Sequence, residues 1–113
     1  MQSDKPREHC GLCGVSGGDR VIERLHMGLH TMQHRGQEAA GIMVAMGDTC
    51  HLHKGTGLIE HVFSRIPGAW LEEGANVNRG ISHVRYGTAG GWNASNAQPL
   101  MVSMGGQNVG IAH

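Results

Sequence analysis

A chain of 113 residues with nine basic and nine acidic side chains, no net charge and 4% aromatics is long enough for one domain or a piece of one. It has no basic stripe interleaved with aromatics, which argues against a nucleic-acid partner. No apolar run approaches a membrane span, and Met1 to His9 is too polar for a signal peptide, so the chain is expected to be cytoplasmic with Cys10, Cys13 and Cys50 reduced.

Residues 1–9, MQSDKPREH, are charged and carry no apolar period, and they read as a flexible leader outside the fold. Its removal would make Cys10 the first residue. A free α-amine titrates at about 7.7 to 8, so near neutral pH much of it is a base placed beside its own thiol. Only the thiolate attacks a carbonyl efficiently, and an N-terminal Cys holds nucleophile and base in one residue. Gly11 and Gly14 suit close backbone approach to a ligand, and Leu12 and Val15 suggest a buried strand. Other readings stay open for Cys10-Gly11-Leu12-Cys13: a thiol redox pair, half of a zinc site, or structural cysteines. Zinc lacks ligands at suitable spacing, because Cys50 has no Cys-x-x-Cys or His partner at finger spacing, and a redox pair usually opens a helix rather than preceding a glycine-rich turn.

After the strand through Val15, Ser16 to Asp19 predicts a turn, with Ser16 or Asp19 capping the next helix. Val21, Leu25, Gly28, Leu29 and Met32 recur at helical spacing, and Gly36 suggests a stop. His26, His30 and His34 lie four apart on the opposite side. Lacking a His-Glu-x-x-His arrangement, they are expected to form a solvated polar face, and no metal site is assigned.

Ala40–Ala45 and Cys50–Lys54 predict a hairpin. His51 and His53 share one face of its second strand and are expected to be exposed polar residues. Lys54-Gly55-Thr56-Gly57 lacks the ending of a phosphate loop and reads as a turn. Leu58–Arg65 predicts a short helix, Gly80–Tyr86 a strand, and Gly87–Pro99 a long polar loop. A second hairpin follows, from Leu100–Met104 through Gly105-Gly106 to Asn108–His113. The sequence stops within that strand, which suggests a piece of a larger domain.

Four stretches together then resemble one family: CGLCGV at 10–15, MQHRGQEAAGI at 32–42, HVRYGTAG at 83–90 and NAQP at 96–99. In order and spacing they are similar to the class II glutaminase domain of the amidophosphoribosyltransferases, across residues 10–113. The resemblance implies an α+β fold, the four-layer α/β/β/α sandwich of N-terminal nucleophile hydrolases, with only its first half present. It implies that Cys10 attacks the side-chain amide of glutamine and that the ammonia released displaces pyrophosphate from phosphoribosyl pyrophosphate. That yields 5-phosphoribosylamine, the first step of purine synthesis.

By the same resemblance Arg85 pairs with the glutamine α-carboxylate, since a guanidinium fork matches a carboxylate in two parallel bonds, and Thr88 adds a hydroxyl to that end. The phosphoribosyltransferase domain would lie downstream and use Mg2+. An iron–sulfur cluster is compatible with the full chain, as is a homo-oligomer. Cys13 stands where relatives carry a bulky apolar residue. The Asn-Gly pair that supplies oxyanion donors would follow His113, so the stretch alone is expected to be inactive. The alternatives are a class II amidotransferase with another acceptor, or a redox module built on Cys10 and Cys13.

Overall fold

The computed structural model describes residues 10–32, 37–86 and 97–113. The chain forms β1 (Cys10–Ser16), α1 (Val21–His30), β2 (Gln37–Met46), β3 (Thr49–Thr56), α2 (Ile59–Phe63), β4 (Val77–Tyr86), β5 (Leu100–Met104) and β6 (Gln107–Ile111). Two short 3-10 turns, Gly68–Leu71 and Glu73–Ala75, occupy the link between α2 and β4. β1 to β4 make one antiparallel sheet in the order β1-β4-β2-β3, and β5 and β6 pair as a hairpin.

Strand alternation gives this sheet two distinct faces. On one, Ala40, Ile42 and Val44 of β2 and Val84 of β4 meet Val21, Leu25 and Leu29 of α1 and Ile59, Val62 and Phe63 of α2 in a single buried core. Gly80 is on this face because a Cβ there would stand 2.6 Å from the Met43 carbonyl oxygen and 2.9 Å from Leu25 Cδ1. On the other face lie Met43 and Ile81. A Cβ at Gly110 would fall 2.2 Å from Met43 Sδ and 3.5 Å from Ile81 Cδ1, so the β5–β6 hairpin packs across the sheet from the helices. Helices, sheet and hairpin thus stack as three successive layers, an α+β arrangement.

The elements differ from the sequence expectation mainly at their ends. No side chain caps α1: its N-cap is Arg20, left-handed at φ 52. The preceding turn is closed instead by Arg24, whose Nε donates to the Asp19 carbonyl at 2.9 Å and whose Nη2 donates to the Gly17 carbonyl at 2.8 Å. α1 stops at His30, where the Thr31 hydroxyl donates to the Gly28 carbonyl at 2.8 Å; the expected stop at Gly36 lies outside the described residues. β2 and β4 each begin three residues early, and β3 absorbs Lys54-Gly55-Thr56. Pairing with β2 extends β3, since Lys54 stands opposite Gly41 and Thr56 opposite Ala39.

Candidate active site

β1 and β4 run antiparallel with Cys10 directly opposite Arg85. Opposed residues of antiparallel strands project to the same side, with Cβ atoms about 4.5–5.5 Å apart. The thiol and the guanidinium stem therefore rise together from the hairpin-side face of the sheet, at the end of β1 where Cys10 is exposed and Arg85 partly buried. Ala39, opposite Arg85 on the other side, leaves small-residue ground beside it. Thr88 and Met1 to His9 lie outside the described residues.

The alternation also separates the two cysteines of β1. Gly11 and Cys13 face the helices, whereas Cys10, Leu12 and Gly14 face away, and Leu12 is 48% exposed. Of the two apolar residues expected to mark a buried strand, Val15 packs against the core and Leu12 does not, because three residues along a strand reverses the direction of the side chain. Gly11 turns its Cβ position to the helix layer rather than to the face that carries Cys10. A Cβ there would meet Val84 Cγ1 at 2.8 Å and Met32 Cβ at 3.1 Å, so its smallness admits the helix layer. Cys13 fills the notch at Gly28 of α1, where an added Cβ would lie 2.4 Å from its sulfur.

The redox reading fails on this geometry. Residues i and i+3 of an extended strand have Cα atoms about 10 Å apart, beyond the roughly 7 Å that a disulfide spans. Cys50 of β3 pairs with Ala45 of β2, and β3 lies three strands from β1. At about 4.8 Å per strand that is some 14 Å away, so the three cysteines do not fit the converging thiolates of a zinc site or an iron–sulfur cluster.

Beside Cys10 the site face is closed by residues to which the sequence had given no role in the site. Gly41 stands opposite His83, and a Cβ at Gly41 would fall 2.2 Å from the Gln98 carbonyl oxygen, so Ala97–Pro99 lies directly on the sheet. Lys54 Nζ donates to the Ala97 carbonyl at 2.7 Å. His113 is gripped from two sides: its N–H donates to Gln98 Oε1 at 2.7 Å, and its carbonyl accepts from His83 Nε2 at 2.8 Å. A carbonyl can only accept, which fixes the proton on Nε2. His83 is fully buried, and burial pushes its pKa down; the charges of His113 and Arg85 push the same way, against the hydrogen bond to the His113 carbonyl. Gly41 is the one signal a reader of sequence could have used, as a glycine inside a strand marks close backbone approach.

The expectation changes for His26, His51 and His53. His30 stays exposed as expected, but His26 is half-buried: its ring stacks on Phe63 at 4.5 Å and lies 4.7 Å from His30, at the junction of α1 with α2. Burial lowers the His26 pKa, with His30 adding to the effect and Glu60 opposing it. His51 and His53 share a face as expected, but it is the helix face. Their rings approach Trp70 edge-on at 5.8 and 6.2 Å, and His53 Nε2 bonds the Val62 carbonyl at 2.8 Å. His34 lies outside the described residues.

No helix among the described residues is long and apolar enough to cross a membrane. No family model matches the chain. It is 40% identical over 106 residues to an amidophosphoribosyltransferase of Lacticaseibacillus casei, covering 94% of this chain and 53% of that protein. With the Bacillus subtilis (strain 168) amidophosphoribosyltransferase it is 41% identical over 112 residues, covering 94% of this chain and 22% of the relative. The chain thus spans about half of the first relative and about a fifth of the second. Among solved structures it superposes on an allosteric regulatory enzyme of purine biosynthesis with a TM-score of 0.72 and 40% identity, over 89% of this chain and 21% of that one. The glutamine phosphoribosylpyrophosphate amidotransferase of B. subtilis, complexed with ADP and GMP, gives 0.70 and 37%, over 91% and 21%.

Proposed function

We propose, from its likeness to the amidophosphoribosyltransferases over the stretch it covers, that the chain is the nucleophile-bearing first part of the glutaminase domain of a glutamine-dependent amidotransferase. The observation that carries this reading is the pairing of Cys10 with Arg85 across β1 and β4 on one face of the sheet. Arg85 holds the glutamine α-carboxylate through its planar fork, and Thr88 adds a hydroxyl to that end. Cys10 meets the other end of the substrate.

Removal of Met1 to His9 gives Cys10 a free amine. That amine takes the thiol proton, and the thiolate attacks the glutamine side-chain carbonyl. As the tetrahedral intermediate collapses, the C–N bond breaks and the same amine returns the proton to departing ammonia. Water then attacks the glutamyl thioester, the C–S bond breaks, and glutamate leaves with the thiol restored. Ammonia goes on to displace pyrophosphate from phosphoribosyl pyrophosphate, giving 5-phosphoribosylamine for purine synthesis. That second half reaction belongs to a phosphoribosyltransferase domain of the full-length protein, with its Mg2+, and the full-length protein is a homo-oligomer. A cytosolic setting agrees with three free cysteines among the described residues.

The test is to treat the full-length enzyme with a diazoketone analogue of glutamine and map the adduct by mass spectrometry. We expect a mature N-terminus at Cys10 and one label on it, with loss of glutamine-dependent but not ammonia-dependent pyrophosphate release. A label on Cys13 or Cys50, or full activity in protein that still carries His9, would falsify the assignment. Glutaminase activity without any dependence on phosphoribosyl pyrophosphate would point to another acceptor.

A further inference from the structure

The junction of α1 and α2 carries a group of side chains that the glutaminase chemistry does not use. His26 and His30 stand one helical turn apart, and positions i and i+4 share a helix face. Glu60, from the first turn of α2, reaches between them. Its Oε2 meets His30 Nε2 at 2.5 Å and its Oε1 stands 3.7 Å from His26 Nε2, so each carboxylate oxygen faces one imidazole. The three ligand atoms all lie within 4.8 Å of one another.

From these contacts we infer that His26, His30 and Glu60 form a binding site for a divalent cation of the zinc class. Zinc takes imidazole nitrogen at about 2.0–2.1 Å and carboxylate oxygen at about 2.0–2.2 Å. In a tetrahedral shell, donor atoms therefore lie roughly 3.3–3.4 Å apart. The present spacing brackets that value, so rotation of exposed side chains suffices and neither helix has to move. Two imidazoles and one carboxylate also form the borderline donor set that suits zinc, and they leave a fourth position for water.

A second observation points the same way. His26 Nε2 is sealed from solvent and has no hydrogen-bond partner among the described residues, while its ring is fixed against Phe63. A buried polar atom without a partner is costly, and a metal ion would satisfy it. The site is reachable, because His30 and Glu60 retain 36% and 63% of their side-chain exposure. Both helices are anchored in the core through Leu25, Leu29, Ile59 and Val62, so the donors are held on rigid elements, and the ion would tie α1 to α2.

Cobalt substitution of the chelator-treated full-length protein tests this, since Co2+ in a tetrahedral nitrogen and oxygen shell absorbs in the visible. Wild type should gain a band saturating at one equivalent that is absent from both His30→Ala and Glu60→Gln, and added Zn2+ should bleach it. Zinc affinity measured by competition should fall at least about tenfold in each variant, given that changes merely adjacent to metal ligands cost ten- to a hundredfold. Zn2+ should also raise the melting temperature of wild type and of neither variant. Both substituted positions are exposed, so the metal-free melting temperatures should stay close to wild type. Absence of the band from wild type, or an unchanged band and zinc affinity in both variants, would overturn the site and leave an ion pair that joins two helices.

Discussion

Arg85 is where charge and geometry can be separated at a single residue. Arg85→Lys keeps a positive charge opposite Cys10 but loses the planar fork. In the full-length enzyme it should weaken glutamine use by about ten- to a hundredfold, corresponding to roughly 1.5–3 kcal/mol for a charge-assisted bond, while ammonia-dependent synthesis stays near wild type. Equal losses with both nitrogen donors would assign Arg85 to the fold instead. His83 offers a test by pH. Its pKa is lowered in the folded protein, so the unfolded chain binds the proton more readily, and folding loses stability as pH falls through the ordinary histidine value of about 6.5. Above that value the residue adds no pH dependence. Denaturant midpoints should therefore drop between pH 8 and pH 5.5, and less steeply in His83→Gln, which keeps a donor for the His113 carbonyl. Parallel slopes would remove His83 from the acid sensitivity.

At the scale of elements, the contact between β1 and α1 depends on one small residue meeting one small side chain. Gly28 costs α1 about 1 kcal/mol in helix propensity relative to alanine, yet Gly28→Ala should destabilise the protein. The added Cβ would lie 2.4 Å from Cys13 Sγ and 3.2 Å from Cys13 Cβ, and overpacking of this kind costs typically about 1–3 kcal/mol. Cys13→Ala in the same chain removes the clashing sulfur and should recover most of the loss by thermal denaturation. If Gly28→Ala alone raises the melting temperature, propensity outweighs packing and Cys13 has room to turn away.

In the molecule as a whole, the layers on either side of the sheet are joined through a few positions with no spare room. Gly41 is one, with the Gln98 backbone where its side chain would be. Gly41→Ala should lift Ala97–Pro99 and loosen the hold of Gln98 and His83 on His113, without disturbing the helix-side core of Ile42 and Val44. Faster amide exchange confined to residues 97–113, with α1 protection intact, is the expected pattern; uniform loss of protection would place Gly41 in the global folding core instead. Lys54 is tied into the same joint. Burial lowers its pKa, and its bond to the Ala97 carbonyl draws β3 into the site face.

What the sequence determined by itself was local or motif-borne. The strand from Cys10, the helix beginning near Val21 and both hairpins follow from short-range periodicity and turn chemistry, and four stretches of matching residues pointed to the fold and to Cys10 and Arg85. Tertiary structure decided everything that depends on which strands neighbour each other. That Arg85 lies opposite Cys10 rests on a pairing between β1 and β4, strands some seventy residues apart, and no periodicity encodes a partner at that distance. Register then fixed the faces: it sent Cys13 toward Gly28 and away from Cys10, turned His51 and His53 inward to Trp70, and set Gln98 over Gly41. The approach of Glu60 to His26 and His30 has the same origin. A helix face read from sequence alone looks solvated until another element packs against it.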